Sequence, residues 1–203
     1  MVYRKTAATE ERKEARRRTL LEAAVQLFGC HGYHATTVPM IVAAAASSTG
    51  SFYAYFRNKE DIFAAVLEEL GKRFFECMQI RSHALGNDAV EMDGAIQRIF
   101  LYMAENPGEA RILIVDSCGL SPRLEQIGRA ILKRHKEYVC SHLEAAPEVY
   151  EPENPEIAAR CVVGAVYEAV FSWLEEDPET RLPAQKVAAL VSSFLQRALR
   201  RRP

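Results

Sequence analysis

The chain has 203 residues, 49% of them apolar, enough for one large domain or for a small one joined to a medium one. Its net charge of −1 hides an uneven distribution: residues 1–59 hold nine Lys/Arg against four Asp/Glu, and residues 60–203 hold 17 against 23. A basic front quarter suited to a polyanion thus precedes an acidic remainder. There is no run of about 18 uncharged apolar residues, no apolar amino-terminal signal core, and neither a disulfide framework nor a zinc spacing among Cys30, Cys77, Cys118, Cys140 and Cys161. The expectation is a cytoplasmic protein with no membrane partner, cofactor or metal.

The periodicity predicts a helix over 8–28, where Leu20, Ala24, Leu27 and Phe28 share a face. Arg12, Lys13, Arg16, Arg17 and Arg18 crowd its first half, as a surface for phosphates or as a solvated face paired with Glu10, Glu11 and Glu14. Gly29 and Gly32 are the expected stop. Thr37 reads as the N-cap of a short helix over 38–45, with Pro39 in its first turn. Ser48 reads as the cap of a second short helix over 49–55, with Phe52 and Phe56 on the inner face. Asn58 caps a long helix from Lys59 to about residue 84, whose first turn carries Glu60 and Asp61. Further helices are expected at about 88–105, 107–116, 121–145, 155–176 and 183–201. No strand alternation persists over five residues, so the fold class is all-α.

Two short helices across a tight turn, the second capped by serine, describe a helix-turn-helix. The second helix carries Thr49, Gly50, Ser51 and Tyr53 at the end that enters a major groove. Hydroxyls and the tyrosine OH suit phosphates, and the threonine methyl suits thymine. A purely packing role fits Phe52 and Phe56 but not Tyr53 and Tyr55, whose hydroxyls need partners.

The stretch GYHATTVPMIVAAAASSTGSFYAYFRNKED, residues 32–61, resembles the DNA-binding region of the TetR (tetracycline-repressor) family of bacterial regulators. The glycine, the threonine pair, the serine cap, the G-S-F-Y-x-Y-F run and K-E keep the family's spacing, and the likeness covers about residues 18–70. The resemblance implies that Thr37 caps the first short helix and touches phosphate. It places Ser48, Thr49, Gly50 and Ser51 at the groove, and Tyr53, Tyr55 and Lys59 on the phosphate backbone of a double-stranded operator. Ala46 stands where the family usually turns on glycine, Pro39 where a polar residue is common, and Met40 where an acidic residue completes a capping box.

The resemblance divides the chain into a three-helix DNA-binding domain, 1–58, and a larger helical ligand-binding and dimerisation domain, 59–203, with about nine helices in all. The segment 155–174 is apolar nearly all round and needs cover on two sides, one of them a second copy. With the stripe on 183–201 it resembles the helix pair through which the family forms homodimers, and Val166, Val170, Trp173, Val191, Phe194 and Leu195 are the expected interface. One ordinary buried helix pair is the plainer alternative. The body between is expected to hold a small hydrophobic effector among Phe74, Met78, Met92, Phe100, Met103, Cys118, His135 and Tyr138, with 107–120 as a movable wall. Plain core is the alternative for each.

The function expected is a transcriptional regulator, a repressor released by an apolar ligand. A DNA-binding regulator without an effector, or one switched by a protein partner, is the second reading. An all-helical enzyme using Cys118, His135 and Asp116 is a remote third, since no nucleophile motif surrounds Cys118.

Overall fold

The computed structural model describes residues 7–79, 88–115, 119–147 and 149–199, with side chains described from residue 10 and, after the first interruption, from residue 92. The elements are α1 (Ala7–Ala35), α2 (Val38–Ala44), α3 (Thr49–Tyr53), α4 (Lys59–Gln79), α5 (Asp88–Glu105), α6 (Pro107–Ala110), a π-turn (Arg111–Val115), α7 (Pro122–Ala145), α8 (Pro155–Glu175) and α9 (Ala184–Leu199). Among the described residues the regular elements are helical and each expected helix is represented, the ends expected at 80–84 and 200–201 lying outside the described part.

The head is built as its caps predict. The Thr37 hydroxyl accepts from Met40 N at 3.4 Å, and the Ser48 hydroxyl accepts from Ser51 N at 3.1 Å. Phe52 and Phe56 are buried together with Leu20, Ala24, Phe28, Ile41 and Val42. α1 departs from expectation at its end. It runs through Gly29 and breaks at Gly32, whose φ of 76° is the left-handed backbone that only glycine adopts freely. Gly29 has a different role: a Cβ there would lie 2.7 Å from the Cα of Gly108, so it lets α1 and α6 touch backbone to backbone.

The turn between α2 and α3 carries a local strain. Ala46 sits at φ 45°, where a side chain costs about 1–2 kcal/mol. Ala46→Gly relieves that strain and gives back part of it as unfolded-chain entropy. The expected result is a gain of about 0.5–1 kcal/mol, read as a raised urea midpoint at unchanged slope.

α4 begins in the head and ends in the body, burying Ile62, Phe63, Val66, Leu67, Leu70, Phe74, Phe75 and Met78 along its length. α7 lies against α4 and α8, and α5 against α4 and α9. Asp93 of α5 accepts hydrogen bonds from Ser192 and Gln196 of α9, which pins that pair in register. The expected helix 107–116 is a short α-turn that widens into the π-turn, and its residue 116 lies outside the described part. Such turns shift side chains out of helical register; here Leu113 and Ile114 line a pocket. α8 is long and apolar enough to cross a membrane by length and composition alone. In this fold it packs along α7, α9 and the π-turn and buries Val162, Val166, Val170 and Trp173.

Candidate nucleic-acid interface and helical body

The expected recognition residues lie on the outer side of α3. Thr49 and Gly50 are exposed, Ser51 is half-buried, and Tyr53 is 56% exposed although it sits one residue from the fully buried Phe52. A Cβ on Gly50 would meet nothing within 4 Å, so the helix start is open to an approaching partner. Tyr55 is half-buried and packs on the core edge. Beside α3 lies a polar hollow of about 430 Å³ lined by Arg16, Thr19, Ala45, Ala46, Ser47, Ser48 and Ser51. The members of the arginine run therefore differ. Arg17 pairs with Glu14 at 3.6 Å and lies over the Phe56 ring, whereas Arg16 borders the hollow next to the serines.

Lys59 does not sit as expected. Its ammonium donates to the carbonyls of Tyr33 at 2.8 Å, Thr36 at 2.9 Å and His34 at 3.3 Å, and lies over the Tyr33 ring at 4.3 Å. All three donors are committed to the end of α1, so in this conformation Lys59 is an internal clasp rather than a phosphate contact. Partial burial lowers its pKa. Thr36 completes the cap by donating to Gly32 O and Leu27 O.

Two residues later, Asp61 joins three elements. Its carboxylate accepts from the Arg57 side chain at 2.6 and 3.0 Å, from Arg57 N at 3.1 Å, and from Arg123 of α7. These cations hold it well below the usual carboxylate range. The i, i+4 spacing of Arg57 and Asp61 was visible in the sequence; the third member, 62 residues away, had no local signal. The head is thus tied to the body at the first turn of α4, through Lys59 to α1 and through Asp61 to α7.

In the body, Phe74, Met78, Met92, Phe100 and Met103 are all buried, between 0% and 7% exposed, and are packed as core. Phe74, His135 and Tyr138 do come together, in one aromatic group with Phe75, Tyr102 and Tyr167. Phe100 instead meets Trp173 on the far side of the body. Cys118 and Asp116 lie outside the described residues. An apolar pocket of about 270 Å³ opens between α4, the π-turn, α7 and α8, lined by Leu67, Leu113, Ile114, Ile131, Leu132 and Tyr167, with Glu125 and Arg129 also at its edge. Leu113, Ile114 and Gly119 belong to the expected 107–120 wall, while Phe74, Met78, Met92, Phe100, Met103, His135 and Tyr138 do not line it.

His135 is 2% exposed and stacks on Phe75. Burial and the neighbouring Arg134 charge lower its pKa to about 4. Above pH about 6.5 the imidazole is neutral in folded and unfolded chains alike, so it adds no pH dependence there. Between about 6.5 and 4 the unfolded chain binds a proton that the folded one refuses, and stability falls as the pH falls. The expected loss is about 3 kcal/mol across that window. Chemical denaturation at pH 7 and pH 4.5 should show a smaller difference in His135→Phe than in the parent.

The expected interface residues separate into two groups. Val166, Val170, Trp173 and Leu195 are 1–5% exposed and belong to the protomer's own core; the Trp173 indole donates to Leu182 O at 2.8 Å. Only Val191, half-buried, and Phe194, 60% exposed, are on the outer side. The period was read correctly and its phase was not, because an all-apolar helix has no polar face to set the phase. The outward stripe is Ile157, Cys161, Gly164 and Phe171 on α8, with Leu190 and Phe194 on α9. Apart from Tyr53, every large apolar side chain exposed among the described residues lies on α8, on α9 or between them.

A basic helix-turn-helix on an all-helical body is the build of a DNA-binding transcriptional regulator. The family model of the bacterial regulatory proteins of the tetR family matches residues 20–66. A fatty acid metabolism regulator protein of Bacillus subtilis is 26% identical over 170 residues, 81% of this chain and 87% of the relative. An HTH-type transcriptional repressor of Streptomyces coelicolor is 32% identical over 100 residues, 49% of this chain and 48% of the relative. The structure of the regulator FadR from Bacillus subtilis in complex with stearoyl-CoA superposes with a TM-score of 0.79 at 23% identity, covering 88% of this chain and 96% of that one. Residues 20–66 are those of a tetR-family DNA-binding region, and the relatives matched over longer stretches are transcriptional regulators.

Proposed function

We propose that this chain is a homodimeric repressor that leaves its operator when a long-chain acyl-CoA enters the body. The observation that carries the reading is similarity over 81% of the chain to a fatty acid metabolism regulator, which reaches well past the DNA-binding head. Thr37, Ser48, Thr49, Gly50, Ser51, Tyr53 and Tyr55 are the proposed contacts, with Arg16 added from the hollow. Two copies joined through the α8–α9 stripe would set their recognition helices one turn apart, about 34–36 Å.

The pocket of about 270 Å³ falls just under the roughly 300–1,000 Å³ of small-molecule sites. An acyl chain must therefore widen it, and it will bind the widened form better than this one. That differential affinity is what displaces DNA. α4 and α7 both line the pocket and are the two helices that Asp61 and Arg123 join beneath the head.

The test is anisotropy of a labelled fragment from upstream of the gene, titrated with stearoyl-CoA. Release at micromolar ligand is expected. Tight binding that no acyl-CoA of any length relieves overturns the effector. The second reading, a regulator without an effector, is favoured by the solid packing of Phe74, Met78, Phe100 and Met103. It is the reading left standing by that outcome.

A further inference from the structure

His135 and Tyr167 form a pair with one proton too many. His135 Nδ1 lies 2.8 Å from the Tyr167 hydroxyl, and His135 Nε2 is the buried side-chain nitrogen or oxygen without a hydrogen-bond partner among the described residues. Burial keeps the imidazole neutral and raises the tyrosine pKa, so both groups are uncharged. A neutral imidazole carries one N–H and a phenol one O–H, and the hydrogen bond between them uses one of the two. If Tyr167 donates to Nδ1, the Nε2–H is left over. If Nδ1–H donates to Tyr167, the phenol O–H is left over. In either tautomer a donor is stranded in an apolar interior, a state that native structures avoid unless something else supplies the acceptor.

Tyr167 lines the apolar pocket beside Leu67, Leu113, Ile114 and Ile131, and His135 lines a second hollow on the other side of Ile131. We infer that the His135–Tyr167 pair is the polar anchor of the effector site and takes the neutral carbonyl oxygen of an acyl ligand beside its apolar chain. Neither member of the pair is a cation, so the pair itself offers a ligand oxygen hydrogen bonds and no charge; the cations that border the two hollows are Arg129 beside the apolar pocket and Lys72 and Arg134 beside His135. The inference rests on the acyl-CoA reading above and deepens it by naming the pair that would hold the acyl carbonyl oxygen.

The test uses matched ligands on the full-length protein. Stearoyl-CoA is compared with S-octadecyl-CoA, the thioether in which a methylene replaces the carbonyl, and methyl decanoate with decane. Binding is read by calorimetry and by operator release, and folding of each variant by circular dichroism. The parent protein should prefer the carbonyl member of each pair by about tenfold. Tyr167→Phe and His135→Phe should each reduce that preference to less than about threefold while leaving thioether and alkane binding unchanged. A folded parent that binds both members of each pair alike overturns the anchor, and the stranded donor is then satisfied by water. If stearoyl-CoA releases DNA with no carbonyl preference, the effector reading survives and the anchor does not. If methyl decanoate shows the preference while stearoyl-CoA has no effect, the anchor survives and acyl-CoA does not. If none of the four binds, both are overturned.

Discussion

Replacing Phe194 with glutamate is expected to give a monomer at micromolar concentration by sedimentation velocity, with operator affinity reduced at least a hundredfold. Phe194 is 60% exposed on α9, and Leu190, one turn earlier, is 55% exposed. Across from them α8 presents Ile157 at 56% and Phe171 at 37%, with Gly164 between, where a close helix approach meets no side chain. Burying each such side chain is worth roughly 1.5–3 kcal/mol at full burial, and two-fold symmetry counts every one twice. A glutamate at the centre appears twice as well, as two facing carboxylates in an apolar seam. The loss of DNA binding follows from geometry, because one head alone cannot span two half-sites. Val170→Glu separates interface from core: Val170 is 1% exposed inside the protomer, so that variant should unfold rather than dissociate. A Phe194→Glu protein that remains a dimer removes α8 and α9 from the interface.

The same residues show how far the sequence carried and where it stopped. Helix positions followed from period and caps: Thr37, Ser48 and Asn58 each hold the backbone N–H that their type and place promised. The outward placement of Thr49, Gly50 and Tyr53 followed too, since hydroxyls and an outward tyrosine have little use in a core. What failed was rotational phase and long-range contact. α8 is apolar on so many faces that Val166 and Trp173 could not be told from Ile157 and Phe171. Of the expected ligand walls, Phe74, Met78, Met92, Phe100 and Met103 are packed as core, because Met and Phe at helical spacing describe a packed core as well as a cavity. Gly29 looked like a stop because its partner, Gly108, is 79 positions away. The His135–Tyr167 pair and the Asp61–Arg123 bond join different helices and leave no pattern in either one alone.

Lys59→Met is expected to weaken operator binding at least tenfold while leaving its salt dependence unchanged. The two candidate roles of this lysine differ in that second quantity. A lysine on phosphate releases about one counterion, so removing it lowers the slope of log affinity against log salt by about 0.9. A lysine on carbonyls releases none. The structure puts Nζ on Tyr33, Thr36 and His34 carbonyls at 2.8–3.3 Å, at the end of α1 where helix carbonyls lack partners and the dipole favours a cation. Hydrogen bonds from a charged donor are worth about 1.5–3 kcal/mol in total effect, and methionine fills the space without replacing them. The end of α1 should therefore loosen against the start of α4, and with it the seat of α2 and α3. The affinity loss should be in the dissociation rate, because the exposed charges that steer encounter are untouched. Lys59→Arg should not rescue, since a planar fork cannot point three donors at three converging carbonyls. A methionine variant of parental stability with a salt slope smaller by one charge would mean that Lys59 leaves α1 for phosphate when DNA arrives. The tie between head and body would then rest on Asp61 with Arg57 and Arg123 alone, and Arg123→Ala would become the substitution that uncouples ligand from DNA.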